Sequence, residues 1–199
     1  MGHATHGEVL PGALRTLYDG KPDVHVARYN LQPAAQLEGL RGAEPRHRLR
    51  VRPPEHDDPD LGAALLLEDP LLIALPARHP LAQREQLTPE DLDGQPWIMV
   101  ENTQDPGWRD AFLASCVAAG FTPEARWEAA EPLAALGLVA SGLGAGMIQK
   151  SMPRGATEGV VVRELPWYTP STRLWAAWHR VDLRPLVAEF RRTLLADTP

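Results

Sequence analysis

The sequence lacks the features that mark several classes of protein. Cys116 is the single cysteine in 199 residues, so no internal disulfide can form. No apolar run approaches the ~18 residues of a membrane-spanning helix. The segment from Met1 to Pro11 lacks the basic and apolar stretches of a secretory signal. We therefore expect a cytoplasmic protein that has no membrane partner.

Positive charge is also scarce. The chain has 20 lysines and arginines against 26 aspartates and glutamates, a formal net charge of -6. Nucleic acids attract a positive surface, so binding of DNA by this chain alone is disfavoured. Five arginines do cluster between Arg41 and Arg52, but without interleaved aromatic residues and without a helix that could enter a groove. We interpret this stretch as a solvated basic loop.

Proline and glycine, in contrast, are abundant. Their 20 and 16 copies predict many short elements separated by turns. Trp108, Phe112 and Cys116 share one face of a predicted helix, whereas the run from Leu65 to Leu75 is nearly all apolar, apart from Glu68 and Asp69, and favours strands. This alternation predicts an α/β protein with a mostly parallel sheet. Its ligands would bind where strands end and helices begin.

No segment provides a convincing catalytic or metal site. The glycine run from Ser141 to Gly146 follows a helix instead of opening one, so we interpret it as a helix stop with close backbone packing. Cys116 lies on an apolar face and is predicted to be an inert buried thiol. Two groups of residues lack the spacing of metal ligands: His3, His6 and Glu8, and His47, His56 and Asp57. We expect no cofactor, no metal and no enzymatic activity.

Four sequence blocks, in order, resemble the effector-binding domain of LysR-type transcriptional regulators. The most specific is the apolar run Leu71 to Pro76 followed by His79-Pro80-Leu81-Ala82. The other blocks are Leu10-Pro11 with Pro22-Asp23-Val24 and residues 36–42, then Ala119-Gly120-Phe121-Thr122-Pro123, then Leu138-Val139-Ala140-Ser141-Gly142-Leu143-Gly144. Arg52-Pro53-Pro54 with Asp58-Pro59-Asp60-Leu61 resembles the branch that responds to aromatic-catabolism metabolites such as benzoate or muconate.

This resemblance implies an architecture. Members of the family have two Rossmann-like α/β lobes of the type 2 periplasmic-binding-protein kind, joined by two crossover strands. Here lobe I would comprise residues 1–74 and 173–199, and lobe II would comprise residues 75–172. The winged helix-turn-helix that reads DNA in full-length members is expected to be absent from this chain.

The resemblance also implies a function. A small effector, expected to be a carboxylate or an aromatic acid, would bind between the lobes and modulate transcription. The chain would form a homodimer or homotetramer and would reach DNA only through the absent helix-turn-helix domain. The alternative is a free-standing solute-binding protein of the same two-lobed fold, which would need an export signal.

The family's effector cleft maps onto eight positions of this chain: Ala4, Thr5, Pro33, Arg52, Thr103, Gly107, Trp108 and Pro132. Helix N-termini that face one gap, together with one arginine, would hold a small carboxylate. Trp108 would pack against the apolar body of the effector. Two alternatives stay open, namely an ion pair of Arg52 with Asp57 or Asp58, and a role for Trp108 as a core aromatic.

Residues 44–51 depart from the family pattern, because they are basic where an apolar third strand is expected. Pro45-Arg46-His47-Arg48-Leu49-Arg50 can be encoded by CCT CGA CAT CGG CTT CGT. The next reading frame of those codons encodes Leu-Asp-Ile-Gly-Phe-Val, which matches the expected strand. We therefore predict a pair of compensating frameshifts. Burial of these arginines would carry a large desolvation cost, so we expect exposure of the segment or poor stability.

Overall fold

The computed structural model describes residues 9–26, 48–50, 59–100, 107–152, 158–181 and 184–196. The chain divides into two units, unit 1 with Met1–Asp69 and Thr172–Pro199, and unit 2 with Pro70–Ser171. It therefore passes between the units twice along its length. The lobe boundaries expected from the sequence, at residues 74/75 and 172/173, stay a prediction.

The described residues of unit 1 form two helices and three strands. Helix α1 spans Val9–Gly20 and helix α5 spans Pro185–Ala196. Strand β1 (Arg48–Arg50) pairs antiparallel with β7 (Ser171–His179), and β7 lies beside the first part of β2 (Leu61–Pro76). The unit's aliphatic core takes one residue from α1, one from β2, two from β7 and one from α5: Ala13, Leu66, Leu174, Ala176 and Leu194.

Helix α1 contains Pro11 in its first turn, where a missing N–H costs nothing, and ends at Gly20. Ala13 and Leu17 are four residues apart and are both buried, so one face of α1 packs against the core. The helix is held against α5, where Lys21 donates a hydrogen bond to the carboxylate of Glu189.

The strands of unit 2 lie in two sets. In the first set, the second part of β2 pairs antiparallel with β5 (Gly146–Gln149) and with β6 (Val160–Arg163). In the second set, β3 (Pro96–Val100) pairs parallel with β4 (Glu124–Ala129). A parallel bridge from Trp97 to Ala145 connects β3 to the start of β5.

The expectation of a mostly parallel sheet is wrong for these strands. The ladder of β1 with β7 and the ladders of β2 with β5 and with β6 are antiparallel, and only β3 with β4 forms a parallel ladder among the pairings whose direction is described. The physical reason is that β2 and β7 carry the chain between the units, so they run against their neighbours instead of belonging to β-α-β units.

Where unit 2 is described, it also contains three helices. They are α2 (Pro89–Leu92), α3 (Trp108–Ala118) and α4 (Pro132–Ala140), and a 3-10 turn spans Pro80–Gln83. Helix α3 buries Phe112 and Cys116, as their spacing predicts. None of the helices in the described part of the chain is long and apolar enough to cross a membrane.

Aromatic rings form the centre of the unit 2 core. Trp97 is fully buried, and its ring lies 6.0 Å from that of Phe112 and 5.8 Å from that of Phe121. Trp167 and Tyr168 meet Phe121 edge-on at 5.9 and 6.1 Å. Each such pair contributes about 0.5–1.5 kcal/mol beyond the burial of its area, so these rings join β3, α3 and the segment after β6.

The glycine run after α4 is a helix stop with close backbone packing, as predicted. Gly142 has a φ of 82°, the left-handed conformation common after the last residue of a helix. Gly144 approaches β3 so closely that a Cβ there would lie 2.4 Å from the carbonyl oxygen of Pro96. The next residue, Ala145, donates its N–H to that same oxygen over 2.9 Å.

The basic segment is not wholly a loop. Arg48–Arg50 form β1, in register with Trp175, Ala176 and Ala177 of β7, so the loop interpretation is wrong for these three residues. Strand pairing uses the backbone N–H and C=O groups, which every non-proline residue carries, and the basic composition does not prevent it. The rest of the segment lies outside the described residues.

Candidate functional site

Strands β3 and β4 end together. Val100 and Ala129, their last residues, are register partners in the parallel ladder. Helix α3 begins at Trp108 after β3, and α4 begins at Pro132, the third residue after the end of β4. We call this place, where two strands end and two helices begin, the β3/β4 edge. Such edges are where α/β proteins commonly bind ligands.

Neither helix at the β3/β4 edge is capped by the side chain of its own N-cap residue. Gly107 precedes α3 and has no side chain, and Glu131 precedes α4 without forming a side-chain cap. The N–H groups in the first turn of a helix have no intrahelical acceptor, and the helix dipole adds partial positive charge there. Both helices therefore favour a negatively charged group at this edge.

Trp108 packs against the core of unit 2 and is also partly exposed. Its ring stacks on Phe112, with centroids 6.3 Å apart and an angle of 23°, and it packs against the aromatic core of unit 2. The side chain is nevertheless only partly buried. The packing holds the ring in place, and its open part can receive an apolar body next to the anion-favouring helix ends.

One ion pair crosses the β3/β4 edge. Arg109, in the first turn of α3, donates a hydrogen bond through Nη1 to Oε1 of Glu128, the penultimate residue of β4. Their side chains are 45% and 58% exposed, so water screens the pair. This contact also locates the first turn of α3 beside the end of β4.

The structure describes three of the eight predicted site residues. Gly107 and Trp108 lie at the start of α3 and Pro132 lies at the start of α4, so all three belong to the β3/β4 edge. Five predicted residues lie outside the described part of the chain: Ala4, Thr5, Pro33, Arg52 and Thr103. The alternative ion pair of Arg52 with Asp57 or Asp58 lies there too.

Sequence reasoning missed Arg109 and Glu128. Arg109 could have been found from its position, because it is the second residue of a helix that follows a strand. In α/β proteins the residues between a strand end and a helix start are the ones that commonly contact ligands. Glu128 carried no such signal, because β4 itself was not predicted.

The buried polar groups of unit 2 are structural. The hydroxyls of Ser115 and Tyr168 are 2.7 Å apart, and Cys116 Sγ lies 3.9 Å from the Tyr168 hydroxyl. Burial raises the pKa of Cys116 to about 11 and also raises the pKa of Tyr168. Both groups stay protonated at neutral pH, so the prediction of an inert buried thiol is confirmed.

In the described ranges, no three His, Cys, Asp or Glu side chains lie close enough together to hold a metal ion. His79 is used locally, because its Nδ1 accepts a hydrogen bond of 3.2 Å from the N–H of Leu81 at the start of the 3-10 turn. What the β3/β4 edge offers is recognition of an anion and of an apolar surface.

Comparison with known proteins identifies the family. The model of the LysR substrate binding domain matches residues 1–199. The chain is 27% identical over 190 residues to the HTH-type transcriptional regulator AlsR of Bacillus subtilis (strain 168), an alignment that covers 96% of this chain and 62% of AlsR. The chain thus spans less than two thirds of that regulator. It belongs to the LysR substrate-binding domain family.

Solved structures agree on the fold. The BenM effector binding domain with its effector benzoate superimposes with a TM-score of 0.79 at 20% identity, over 96% of this chain and 86% of that one. The effector binding domain of QuiR in complex with shikimate gives 0.78 at 15% identity, over 97% and 91%. The predicted α/β fold of the type 2 periplasmic-binding-protein kind is confirmed.

Proposed function

We propose that this chain is the effector-sensing part of a LysR-type transcriptional regulator. The observation that carries the proposal is the match of the whole chain, residues 1–199, to the substrate-binding domain of that family. A relative that is itself named a transcriptional regulator supports it and does not favour a free-standing solute-binding protein. The same relationship supports a sensor over an enzyme.

The effector in this proposal is a small carboxylate, and we infer an aromatic or unsaturated acid such as benzoate or muconate. Two helix N-termini without side-chain caps and the partly open ring of Trp108 suit an acid with an apolar body. Benzoate and shikimate, which the BenM and QuiR structures contain, are both carboxylates. Gly107, Trp108 and Pro132 are the described residues that would contact the effector.

Regulation would follow from a shift among conformations of the chain. An effector changes such an equilibrium only by as much as it binds one conformation better than another. In this proposal units 1 and 2 correspond to the two lobes, and homodimers or homotetramers transmit the change to a helix-turn-helix domain that binds DNA. The cytoplasmic location expected from the sequence stays a prediction.

Calorimetric titration of the chain with benzoate, cis,cis-muconate and shikimate tests the proposal. We expect saturable binding of at least one acid, weakened by Trp108→Leu because the apolar contact is lost. Trp127→Leu is the matched control, since Trp127 lies on β4 and is 43% exposed. A folded sample that binds none of the three acids would contradict the sensing role.

A further inference from the structure

The ion pair between Arg109 and Glu128 lies where the proposed function requires an anion to bind. Arg109 directly follows Trp108, and Glu128 directly precedes the end of β4, so both belong to the β3/β4 edge. The carboxylate of Glu128 therefore already lies at this edge, paired with Arg109 in the first turn of α3, a helix whose own N-cap residue supplies no capping side chain.

The pair is easily broken. Both side chains are about half exposed, and exposed pairs of this kind contribute little to stability, because water and salt screen them and two long side chains must be ordered. The guanidinium can form two parallel hydrogen bonds with a carboxylate, so an effector acid would offer Arg109 a partner of the same chemistry as Glu128.

Other basic residues of unit 2 have partners away from this edge. Arg126 pairs with Glu124 at the start of β4, and Lys150 pairs with Glu164. Arg163 donates to the carbonyl oxygen of Ala82. Arg109, in contrast, lies in the first turn of α3, directly after Trp108 in the sequence.

We propose that Glu128 is an internal competitor for the effector's carboxylate: the acid displaces Glu128 from Arg109 and binds Arg109 while its apolar body packs against Trp108. This inference rests on the proposed function and adds to it the residue that recognises the acid and the residue that sets its affinity. No bond other than hydrogen bonds is made or broken in the exchange.

Titration of benzoate, cis,cis-muconate and shikimate into four chains tests the exchange: wild type, Glu128→Gln, Arg109→Gln and the double variant. Glu128→Gln should bind the acid about two- to fivefold more tightly, because Arg109 no longer has a competing partner. Arg109→Gln should bind it at least about tenfold more weakly. In the Arg109→Gln background, Glu128→Gln should have no further effect, since the competition acts through Arg109.

Arg126 and Glu124 provide the matched control, because their exposed pair lies on the same strand but at its other end. Arg126→Gln and Glu124→Gln should leave the affinity unchanged. Arg109→Lys should recover part of the affinity, since it keeps the charge without the planar fork. The melting temperatures of all variants should match that of the wild type, as expected for residues that do not support the fold.

The outcomes separate the two proposals. If an acid binds the wild type and both Arg109→Gln and Glu128→Gln bind it equally well, the exchange is refuted while the sensing function stands. An equal gain from Glu128→Gln with and without Arg109 also refutes the exchange, because simple charge repulsion then explains it. If none of the chains binds any of the three acids, the proposed function fails and this inference fails with it.

Discussion

The two units build their cores from different side chains. In unit 2 the centre is Trp97 with Phe112 and Phe121, whereas the described core of unit 1 is aliphatic and includes two alanines, Ala13 and Ala176. An aromatic ring buries about 150–250 Å². A few rings can therefore determine how unit 2 packs, while unit 1 depends on how closely its backbones approach one another.

Unit 1 also uses large rings, Trp178 and Phe190, but at the margin of its core. Trp178 of β7 covers Gly62 of β2 so closely that a Cβ on Gly62 would lie 2.6 Å from the ring. Arg191 of α5 lies 5.1 Å from the centroid of the same ring. The ring of Trp178, on β7, thus contacts both β2 and α5. A tryptophan therefore lies at the centre of the core in unit 2, whereas in unit 1 a tryptophan joins three elements at the margin of the core.

The largest expected effect follows from the centre of unit 2. Trp97→Ala should lower the free energy of unfolding by about 3–5 kcal/mol, because it removes a fully buried ring and leaves a cavity. Urea denaturation followed by circular dichroism measures the loss. Trp127→Ala is the control, since Trp127 is 43% exposed and should lose less than about 1 kcal/mol. Equal losses would show that the rings of unit 2 are not its core.

Restoring an apolar strand should stabilise unit 1. Replacing residues 45–50 by Leu-Asp-Ile-Gly-Phe-Val should raise the free energy of unfolding by about 2 kcal/mol, because β1 pairs with β7 beside the buried Ala176 and Ala177. Thermal denaturation measures the gain. A segment of the same length rich in serine is the control.

Resequencing of the coding DNA in several independent reads tests the frameshift itself, and one unambiguous frame would argue against it.

Substitutions at two glycines test how well each unit tolerates added side-chain volume. Gly144→Ala in unit 2 should cost about 2–3 kcal/mol, because its Cβ meets the backbone of Pro96, which cannot move aside. Gly62→Ala in unit 1 should cost about 1–2 kcal/mol, since the obstacle is the Trp178 side chain. Gly137→Ala, with nothing within 4 Å, should stabilise α4 by about 0.5–1 kcal/mol. Chemical denaturation measures the free energy of unfolding of the three variants. A larger loss for Gly62→Ala than for Gly144→Ala would contradict the expectation that unit 2 tolerates added volume less well.

The smallest expected effect concerns pH. The hydrogen bond from Lys21 lowers the pKa of Glu189 below its ordinary value, so this contact between α1 and α5 is present above the unfolded-state pKa and is lost as the pH falls through the folded-state value. Glu189→Gln should therefore make the melting temperature slightly less dependent on pH in the acidic range. Differential scanning calorimetry between pH 7 and pH 3 measures it, and an unchanged slope would assign the contact no role in stability.

Helix α3 could be predicted from the sequence, whereas strand β4 could not. Helix α3 was visible in the spacing of Phe112 and Cys116. Strand β4 was missed because most of its residues are exposed, so its sequence shows no alternation. Only its pairing with β3 makes it a strand, and that pairing also brings Glu128 to the candidate site.

The sequence by itself determined the family, the helix faces and the reason for the glycine run, because these depend on neighbours along the chain or on a recognisable pattern of residues. Only the tertiary structure decided that β3 and β4 end together, that α3 and α4 begin at the same edge, and that Arg109 reaches Glu128. Those contacts join residues that local preference cannot connect, since the register between strands is set by packing across the whole unit.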